Sequence, residues 1–352
     1  MREVEINEAE AGQRLDKFLQ RYLPGAATGF LYKMLRKKNI TVNDHKSEGG
    51  YILREHDCIR IFFSEETFLS FRRTVNKMHT EGTSAFCHSA ASVSEKDSIS
   101  DILSSDEIIY EDPHILLANK PAGLLSQKAE EQDVSLVEQV RRYLLQSGKR
   151  TEEDFYLYRP GTANRLDRNT SGLVAVPLDL PSARILGDFF RNRTIRKVYL
   201  CLVGGNFEKK QLLEGWHSRD TRSNKTSVTR YYREGSKKVS LVCTPVCYNN
   251  GVTLLSVDLL TGKTHQIRSQ LAEYGYAIVG DPKYGTMKGV QSDCRLKRQF
   301  LHAYEMHFPI CPDPLSALSE RSFFAPLPEE LKKTAERFGI VLPQANYRGR
   351  QG

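Results

Sequence analysis

The sequence predicts an α/β (α+β) protein with two domains, the larger of which is built on a mixed, mainly antiparallel sheet. The chain has 352 residues, enough for about two domains of ordinary size. After residue 105, strand-like apolar runs greatly outnumber helical patterns. Two of these runs are joined by Asn-Asn-Gly at residues 249–251, which is typical of a β-hairpin. These patterns indicate a small domain followed by a larger, sheet-based domain.

Residues 1–64 predict the small α/β domain. Apolar side chains at helical spacing mark two helices, with Leu15, Phe18, Leu19 and Tyr22 in the first and Leu31, Met34 and Leu35 in the second. Alternating apolar residues at 40–42 and 59–63 predict strands. The second predicted helix also carries, outside its apolar positions and at its end, four basic residues, here called the basic helix cluster: Lys33, Arg36, Lys37 and Lys38. This cluster is either a solvated helix face or a contact for RNA.

Residues 65–105 predict a Ser-rich flexible linker, because Ser, Thr, Glu and Lys are frequent there and apolar periodicity fades. Residues 106–342 predict the larger domain, and residues 343–352 predict a frayed tail. Within the larger domain the patterns predict strands at 115–119, 196–203, 239–248 and 252–260, and helices at 136–144 and 184–190. The strand at 196–203 is apolar on both faces after Lys197, which predicts a central position in the sheet.

Two stretches of the larger domain carry residues suited to chemistry. At residues 164–176, Asn-Arg-Leu-Asp-Arg-Asn-Thr-Ser-Gly-Leu-Val-Ala-Val places Asp167 between Arg165 and Arg168, on a turn that leads into an apolar strand. An acid on such a loop is held rigidly, although a lone loop aspartate is more often a solvated surface residue. At residues 264–275, Thr264 predicts a helix N-cap and Gly275 the helix end.

The first stretch resembles the active-site motif of the RluA family of RNA pseudouridine synthases, in which Arg-Leu-Asp-x-x-Thr-Ser-Gly precedes an apolar strand. Other segments resemble further parts of that family: Asn-Lys-Pro-x-Gly-Leu at 119–124, Thr-His-Gln-x-Arg at 264–268 and Gly-Asp-Pro-Lys-Tyr-Gly at 280–285. The chain departs from the family pattern at Asn164, where many members have His or Gly, and at Lys263, where the family usually has arginine. The resemblance extends over nearly the whole chain except the linker.

This resemblance implies a pseudouridine synthase-type catalytic domain and a role for three residues. Asp167 falls on the catalytic aspartate, and Arg268 falls on the arginine that pairs with its carboxylate. Tyr199 falls on the family's Lys-x-Tyr strand beside the aspartate, where it is the candidate for accepting a proton. Taken without the resemblance, Tyr199 is a core tyrosine on a strand, and its ordinary pKa of about 10 makes it a poor base.

The small domain resembles the RNA-binding domain first known from a small-subunit ribosomal protein, number four of that set. Arg-Leu-Asp-Lys-Phe-Leu at 14–19 and Ile-Thr-Val-Asn at 40–43 carry this resemblance. Family members with such a domain act on large-subunit ribosomal RNA, which favours that substrate. Besides the basic helix cluster, the RNA-binding residues expected near the catalytic aspartate are Arg165, Arg168, Lys263 and His265.

The implied reaction needs no cofactor. Isomerising uridine breaks a carbon–nitrogen glycosidic bond, turns the uracil and forms a bond to carbon five, so nothing is consumed. A carboxylate can act as nucleophile or stabilise the cationic sugar. Seven cysteines without a Cys-x-x-Cys pair predict reduced thiols and no metal site. The net charge of +8 and pI near 9.0 suit a polyanionic partner.

The absence of an apolar signal core or membrane span predicts a cytoplasmic protein, and we expect a monomer. Within the same class, transfer RNA or dual specificity is the alternative to ribosomal RNA. A different alternative is a non-catalytic RNA-binding or ribosome-assembly factor, which would be free to lose Asp167, Tyr199 or Arg268. A glycosidase is weaker, because it needs a second carboxylate that the Asp167 motif does not supply.

Overall fold

The computed structural model describes residues 1–6, 10–73, 102–130, 132–152, 154–220, 225–285 and 296–343. Its contacts divide the chain into two compact units. The first unit consists of Met1–Ser98, Leu144–Pro160 and Leu178–Pro181, and the second of Ile99–Tyr143, Gly161–Pro177 and Ser182–Gly352. None of the helices in these ranges is both long enough and apolar enough to cross a membrane.

The helices of the described ranges are α1 (Leu15–Tyr22), α2 (Thr28–Arg36), α3 (Glu65–Arg73), α4 (Leu136–Gln146), α5 (Asp154–Leu157), α6 (Leu180–Asn192), α7 (Gln266–Glu273) and α8 (Glu329–Arg337). The strands are β1 (Arg2–Glu5), β2 (Ile40–Val42), β3 (Cys58–Ile61), β4 (Ile108–Glu111), β5 (Ile115–Lys120), β6 (Ser171–Pro177), β7 (Arg196–Gly204), β8 (Gln211–Asp220), β9 (Lys225–Thr229), β10 (Lys237–Asn249), β11 (Val252–Asp258), β12 (Leu301–His307) and β13 (Ser322–Phe324). The two helices and two strands predicted for the small domain, and the hairpin of the larger one, are confirmed.

The first unit packs helices on a three-stranded antiparallel sheet in the order β1-β3-β2. The apolar stripe of α1 is buried against it, with Leu15 and Leu19 fully buried. The apolar side chains of α2 (Leu31, Met34 and Leu35) are buried in the same core. The four residues of the basic helix cluster are exposed. Edge strand β1 pairs with β3 and was not predicted from the sequence.

Residues 65–73 were assigned to the linker, and here the structure corrects the prediction. They form α3, in which Phe68 is buried in the core of the first unit and packs its ring 6.0 Å from that of Tyr22. The aromatic spacing of Phe68 and Phe71 supplied a helical signal that the polar composition concealed. Residues 74–101 of the predicted linker and 344–352 of the predicted tail lie outside the described ranges.

The second unit is built on one large sheet with the strand order β4-β5-β6-β12-β7-β11-β10-β8-β9, and β13 pairs with β12. Among the pairings of these described strands, only that of β6 with β12 is parallel. This confirms a mixed, mainly antiparallel sheet. As predicted, β7 lies in the interior of the sheet, where it pairs with β11 and β12.

At the centre of this sheet, one residue of β12 lies between the strand that follows the Asp167 loop and the strand that carries Tyr199. Ala303 of β12 pairs with Gly172 of β6 on one side and with Tyr199 of β7 on the other. Gly172 has φ 119°, and a Cβ there would lie 2.2 Å from the Ala303 carbonyl oxygen. Only glycine permits this approach, so it fixes the Asp167 loop next to Tyr199.

Candidate active site

The Asp167 loop is a tight turn fastened at its far end. The Thr170 N–H donates to the Asp167 carbonyl oxygen at 3.0 Å, and the Thr170 hydroxyl accepts a bond from Gln299 at 3.1 Å. Ser171, the next residue, bonds through its hydroxyl to Nδ1 of buried His302 at 2.9 Å. The rigid loop acid predicted from the sequence therefore has a physical basis in buried hydrogen bonds.

Lys120 fastens the same loop from beneath, a role that sequence reasoning missed. Its side chain is fully buried, and Nζ donates to the carbonyl oxygens of Pro121 and Leu124 at 2.7 Å and of Arg168 at 3.2 Å. Burial, reinforced by the charge of Arg298, lowers the pKa of Lys120 to about 7. The signal that could have revealed it was the lysine of the Lys-Pro-x-Gly turn.

Asn164, where the chain departs from the family pattern, also has a structural function. Its amide nitrogen donates to the Leu173 carbonyl at 3.1 Å, and its amide oxygen accepts the Ala175 N–H at 2.9 Å. The side chain thus satisfies two backbone groups of β6 as a neighbouring strand would. It supports the strand that follows the loop.

Arg268 connects the two sequence stretches predicted to carry chemistry. Its Nη1 donates to Asp167 Oδ2 at 3.1 Å, while Nε and Nη2 donate to Oδ2 and Oδ1 of Asp281 at 2.7 and 2.9 Å. The Arg268 side chain is only 7% exposed, whereas that of Asp167 is 23% exposed. Arg268 is therefore a buried support, and Asp167 is the member of the pair that solvent reaches.

Asp281 is the second carboxylate of this arrangement. Burial favours its neutral form, but the bonds and charge of Arg268 and the N–H groups of Lys283 and Tyr284 outweigh it, so the pKa of Asp281 is lowered. A buried, ionised group fully engaged with arginine is unsuited to donate a proton. Asp281 is therefore not the acid that a glycosidase would need.

His265 lies on the other side of Asp167, with Nε2 3.7 Å from Oδ2. The predicted N-cap at Thr264 is wrong: α7 begins at Gln266, and His265 is the N-cap residue, with φ 55°. This left-handed conformation turns the imidazole toward the carboxylate, and Nδ1 lies 3.1 Å from the Tyr284 hydroxyl. Burial, against the opposing effect of the Asp167 charge, lowers the pKa of His265. Gly275, with φ 87°, follows the helix end as predicted.

Tyr199 lines the same cavity and is 7% exposed. Burial and then the charge of Asp167 both raise its pKa, so the phenol is protonated at neutral pH. In this state it can donate a hydrogen bond, and its role as proton acceptor stays a prediction.

Asp167, Tyr199, His265 and Arg268 line a cavity of about 780 Å³ in the second unit. Asp167 is the one acidic side chain among its described lining residues, while the Lys and Arg side chains are Lys128, Arg165, Arg168, Arg191, Arg193, Lys197, Lys263 and Arg268. Arg165, Arg168 and Lys263 were predicted, and all three are exposed. Lys128, Arg191, Arg193 and Lys197 were missed, and the last three come from the end of α6 and the start of β7. Among the described residues, no group of three or more His, Cys, Asp or Glu side chains could hold a metal ion.

Comparison with known proteins points to one class of enzyme, the RNA pseudouridine synthases. Residues 114–273 match the family model described as RNA pseudouridylate synthase. A ribosomal large subunit pseudouridine synthase C from Pasteurella multocida is 28% identical over 334 residues, 93% of this chain and 91% of that protein. A protein of the same name from Vibrio vulnificus is 27% identical over 337 residues, 95% of each chain.

The fold has a solved counterpart in human RNA pseudouridylate synthase domain containing 4. The two align with a TM-score of 0.54 at 18% identity, over 68% of this chain and 95% of that one. This likeness concerns the fold alone. The sequence matches, to the family model over residues 114–273 and to relatives 27–28% identical over most of the chain, support an RluA-family RNA pseudouridine synthase, which is an isomerase.

Proposed function

We propose that this protein isomerises one or more uridines of large-subunit ribosomal RNA to pseudouridine, with Asp167 as the catalytic residue. One observation carries the proposal: a partly exposed carboxylate, held 3.1 Å from Arg268, is the one acid among the described residues that line a cavity rich in Lys and Arg. A polyanion is drawn into such a cavity, and the acid inside is the group left to perform chemistry.

In the proposed reaction Asp167 attacks the anomeric carbon of the uridine, or stabilises the cationic sugar, as the bond from that carbon to uracil N1 breaks. The uracil turns within the site and its carbon five bonds to the anomeric carbon, which releases the carboxylate. Carbon five then loses a proton and N1 gains one, so that product and substrate have the same atoms. Arg268 keeps the attacking group oriented throughout.

Proton removal from carbon five is proposed to involve Tyr199. Its phenol borders Asp167 and is protonated in the free protein, so it starts as a donor toward the uracil. It can accept the proton only after passing its own to another group, which makes a relay the chemically consistent role.

The target uridine must be extruded from folded RNA, which costs a few kcal/mol. We propose that Arg165, Arg168, Lys263 and His265 bind the RNA around the extruded nucleotide. The basic helix cluster of the first unit would add phosphate contacts, because its four side chains are exposed and form no ion pair with a described residue. This assigns the first unit the RNA-binding role predicted from its sequence.

Ribosomal RNA is preferred over transfer RNA because the relatives that align over most of the chain are named for the large ribosomal subunit. A cytoplasmic, monomeric enzyme is part of the proposal. The test is to map pseudouridines at nucleotide resolution in ribosomal and transfer RNA from cells with and without the protein. We expect loss at specific large-subunit positions, restored by the parent and not by Asp167→Asn. Loss confined to transfer RNA would show that the proposed substrate is wrong.

A further inference from the structure

Asp281 pairs with Arg268 on the side away from Asp167. Its side chain is fully buried, and Oδ1 accepts the N–H groups of Lys283 at 2.8 Å and Tyr284 at 3.0 Å, which closes its own turn. Both of its oxygens also take the Nε and Nη2 edge of Arg268. The Asp281 carboxylate is thus held rigidly, and it forms a bidentate pair with the Nε and Nη2 groups of Arg268.

This pairing decides how Arg268 meets Asp167. Guanidinium and carboxylate tend to form two parallel hydrogen bonds, which would engage both oxygens of Asp167. With its other edge taken by Asp281, Arg268 reaches Asp167 through Nη1 alone, and it contacts Oδ2. Oδ1 of Asp167 is left without a hydrogen bond to any described residue, while Oδ2 also faces His265.

The same turn holds His265. Tyr284, three residues after Asp281, places its hydroxyl 3.1 Å from His265 Nδ1 and 2.6 Å from the Thr226 hydroxyl. The Arg268 guanidinium lies 5.3 Å from the centre of the Tyr284 ring. Both neighbours of Asp167 Oδ2 are therefore fastened by one short segment, residues 280–285.

We infer that Asp281 is a positioning residue of the isomerisation: it confines Arg268 to a one-point contact with Asp167 Oδ2 and so keeps Oδ1 free as the reacting oxygen. Tyr284 performs the matching task for His265. This inference rests on the proposed function of Asp167. Without Asp281, Arg268 is free to rotate and bind both oxygens of Asp167, and the carboxylate becomes a poorer nucleophile.

The test compares Asp281→Asn with the parent by single-turnover pseudouridine formation in large-subunit RNA purified from cells that lack the protein. The amide oxygen can still close the turn, but its NH₂ group faces Arg268 Nε and cannot accept from it. We expect a rate lower by about 100-fold with RNA affinity within about twofold of the parent. Asp112→Asn is the matched control, because Asp112 Oδ1 likewise accepts two N–H groups, from His114 and Ile115 at 2.8 and 2.9 Å.

A purely structural role is separated by repeating Asp281→Asn in an Arg268→Gln background. If Asp281 acts through Arg268, the second substitution adds little there, about threefold or less. Equal factors in both backgrounds, or a folded Asp281→Asn variant at parental rate, overturn the inference. If the parent itself converts no uridine, the proposed function fails instead.

The Tyr284→Phe variant tests the same turn in an experiment that does not depend on whether the Asp281 variants fold. It removes only the hydroxyl that contacts His265 and Thr226 and keeps the ring beside Arg268. We expect a rate lower by about tenfold at unchanged RNA affinity. A parental rate in this variant overturns the assignment of the turn as a positioning element.

Discussion

Arg268 lies 101 positions after Asp167 in the sequence, and its Nη1 is 3.1 Å from Oδ2 of Asp167 in the folded chain. The arginine is buried and has a second carboxylate partner, so it stays in place whether or not Asp167 is charged. This separates two properties of Asp167: its charge serves the chemistry, while the loop and the arginine maintain its position. Substitutions can therefore test the charge without removing the architecture.

Asp167→Asn is expected to abolish pseudouridine formation and leave RNA binding largely intact. The amide is nearly isosteric, so the turn to Thr170 survives, but the group that attacks or stabilises the sugar is gone. Rate and RNA affinity are measured on the same preparation, with a melting curve beside the parent because Arg268 loses a charged partner. A folded variant that isomerises uridine near the parental rate would rule out Asp167 as the catalytic residue.

Tyr199→Phe tests the phenol of Tyr199 separately from its ring. The substitution keeps the buried ring in β7, so we expect unchanged stability within about 1 kcal/mol. If the hydroxyl takes part in proton removal, the single-turnover rate falls by about 100-fold. Tyr199→Leu is the companion variant that also removes the ring. Equal, near-parental rates in Tyr199→Phe and the parent would leave Tyr199 a packing role only.

Replacing Lys33, Arg36, Lys37 and Lys38 with glutamine is expected to weaken RNA binding and flatten its dependence on salt. If all four contact phosphates, the slope of log affinity against log salt falls by roughly 3 units in magnitude. The fold is expected to persist, because the four side chains are exposed. The charge-matched control replaces Lys209, Lys210, Lys332 and Lys333. An unchanged slope in the first variant would identify the cluster as a solvated face.

Gly172→Ala is expected to destabilise the second unit by about 3 kcal/mol or more. The new Cβ meets the backbone of Ala303 at 2.2 Å, and the backbone there has φ 119°. Gly251→Ala separates the two causes, because Gly251 has φ 76° but open space around the Cβ position. Its cost is expected to be about 1 kcal/mol. Denaturant unfolding of both variants measures the difference, and equal costs would contradict the close approach.

His302 is expected to make stability fall as the pH drops from 6.5 toward 4. Burial lowers the pKa of His302 to about 4, so within this window the unfolded chain binds a proton that the folded chain does not. The loss amounts to about 3 kcal/mol across the window, from about 1.4 kcal/mol per pH unit. His302→Gln is expected to flatten this part of the profile, and His45→Gln, at an exposed histidine, to leave it unchanged. A slope that persists in His302→Gln would assign it to other groups.

Local patterns in the sequence were enough for much of this protein. Apolar spacing identified α1, α2, β7 and the β10–β11 hairpin, because each depends on residues a few positions apart. The motif around Asp167 and the Thr-His-Gln-x-Arg segment identified the acid and its arginine. The helix α3 was missed, because its few apolar residues are set in a polar, Ser-rich context.

Only the tertiary structure decided how these residues act together. Burial of Lys120 and Asp281 depends on which backbone carbonyls and arginines surround them, and no periodicity encodes that. The left-handed conformation of His265 arises where the chain must enter α7 beside Asp167, and it displaced the N-cap expected at Thr264. Sequence determined which side chains were available for chemistry. The packing of distant strands determined their distances and charges, because desolvation and pairing are properties of the folded chain alone.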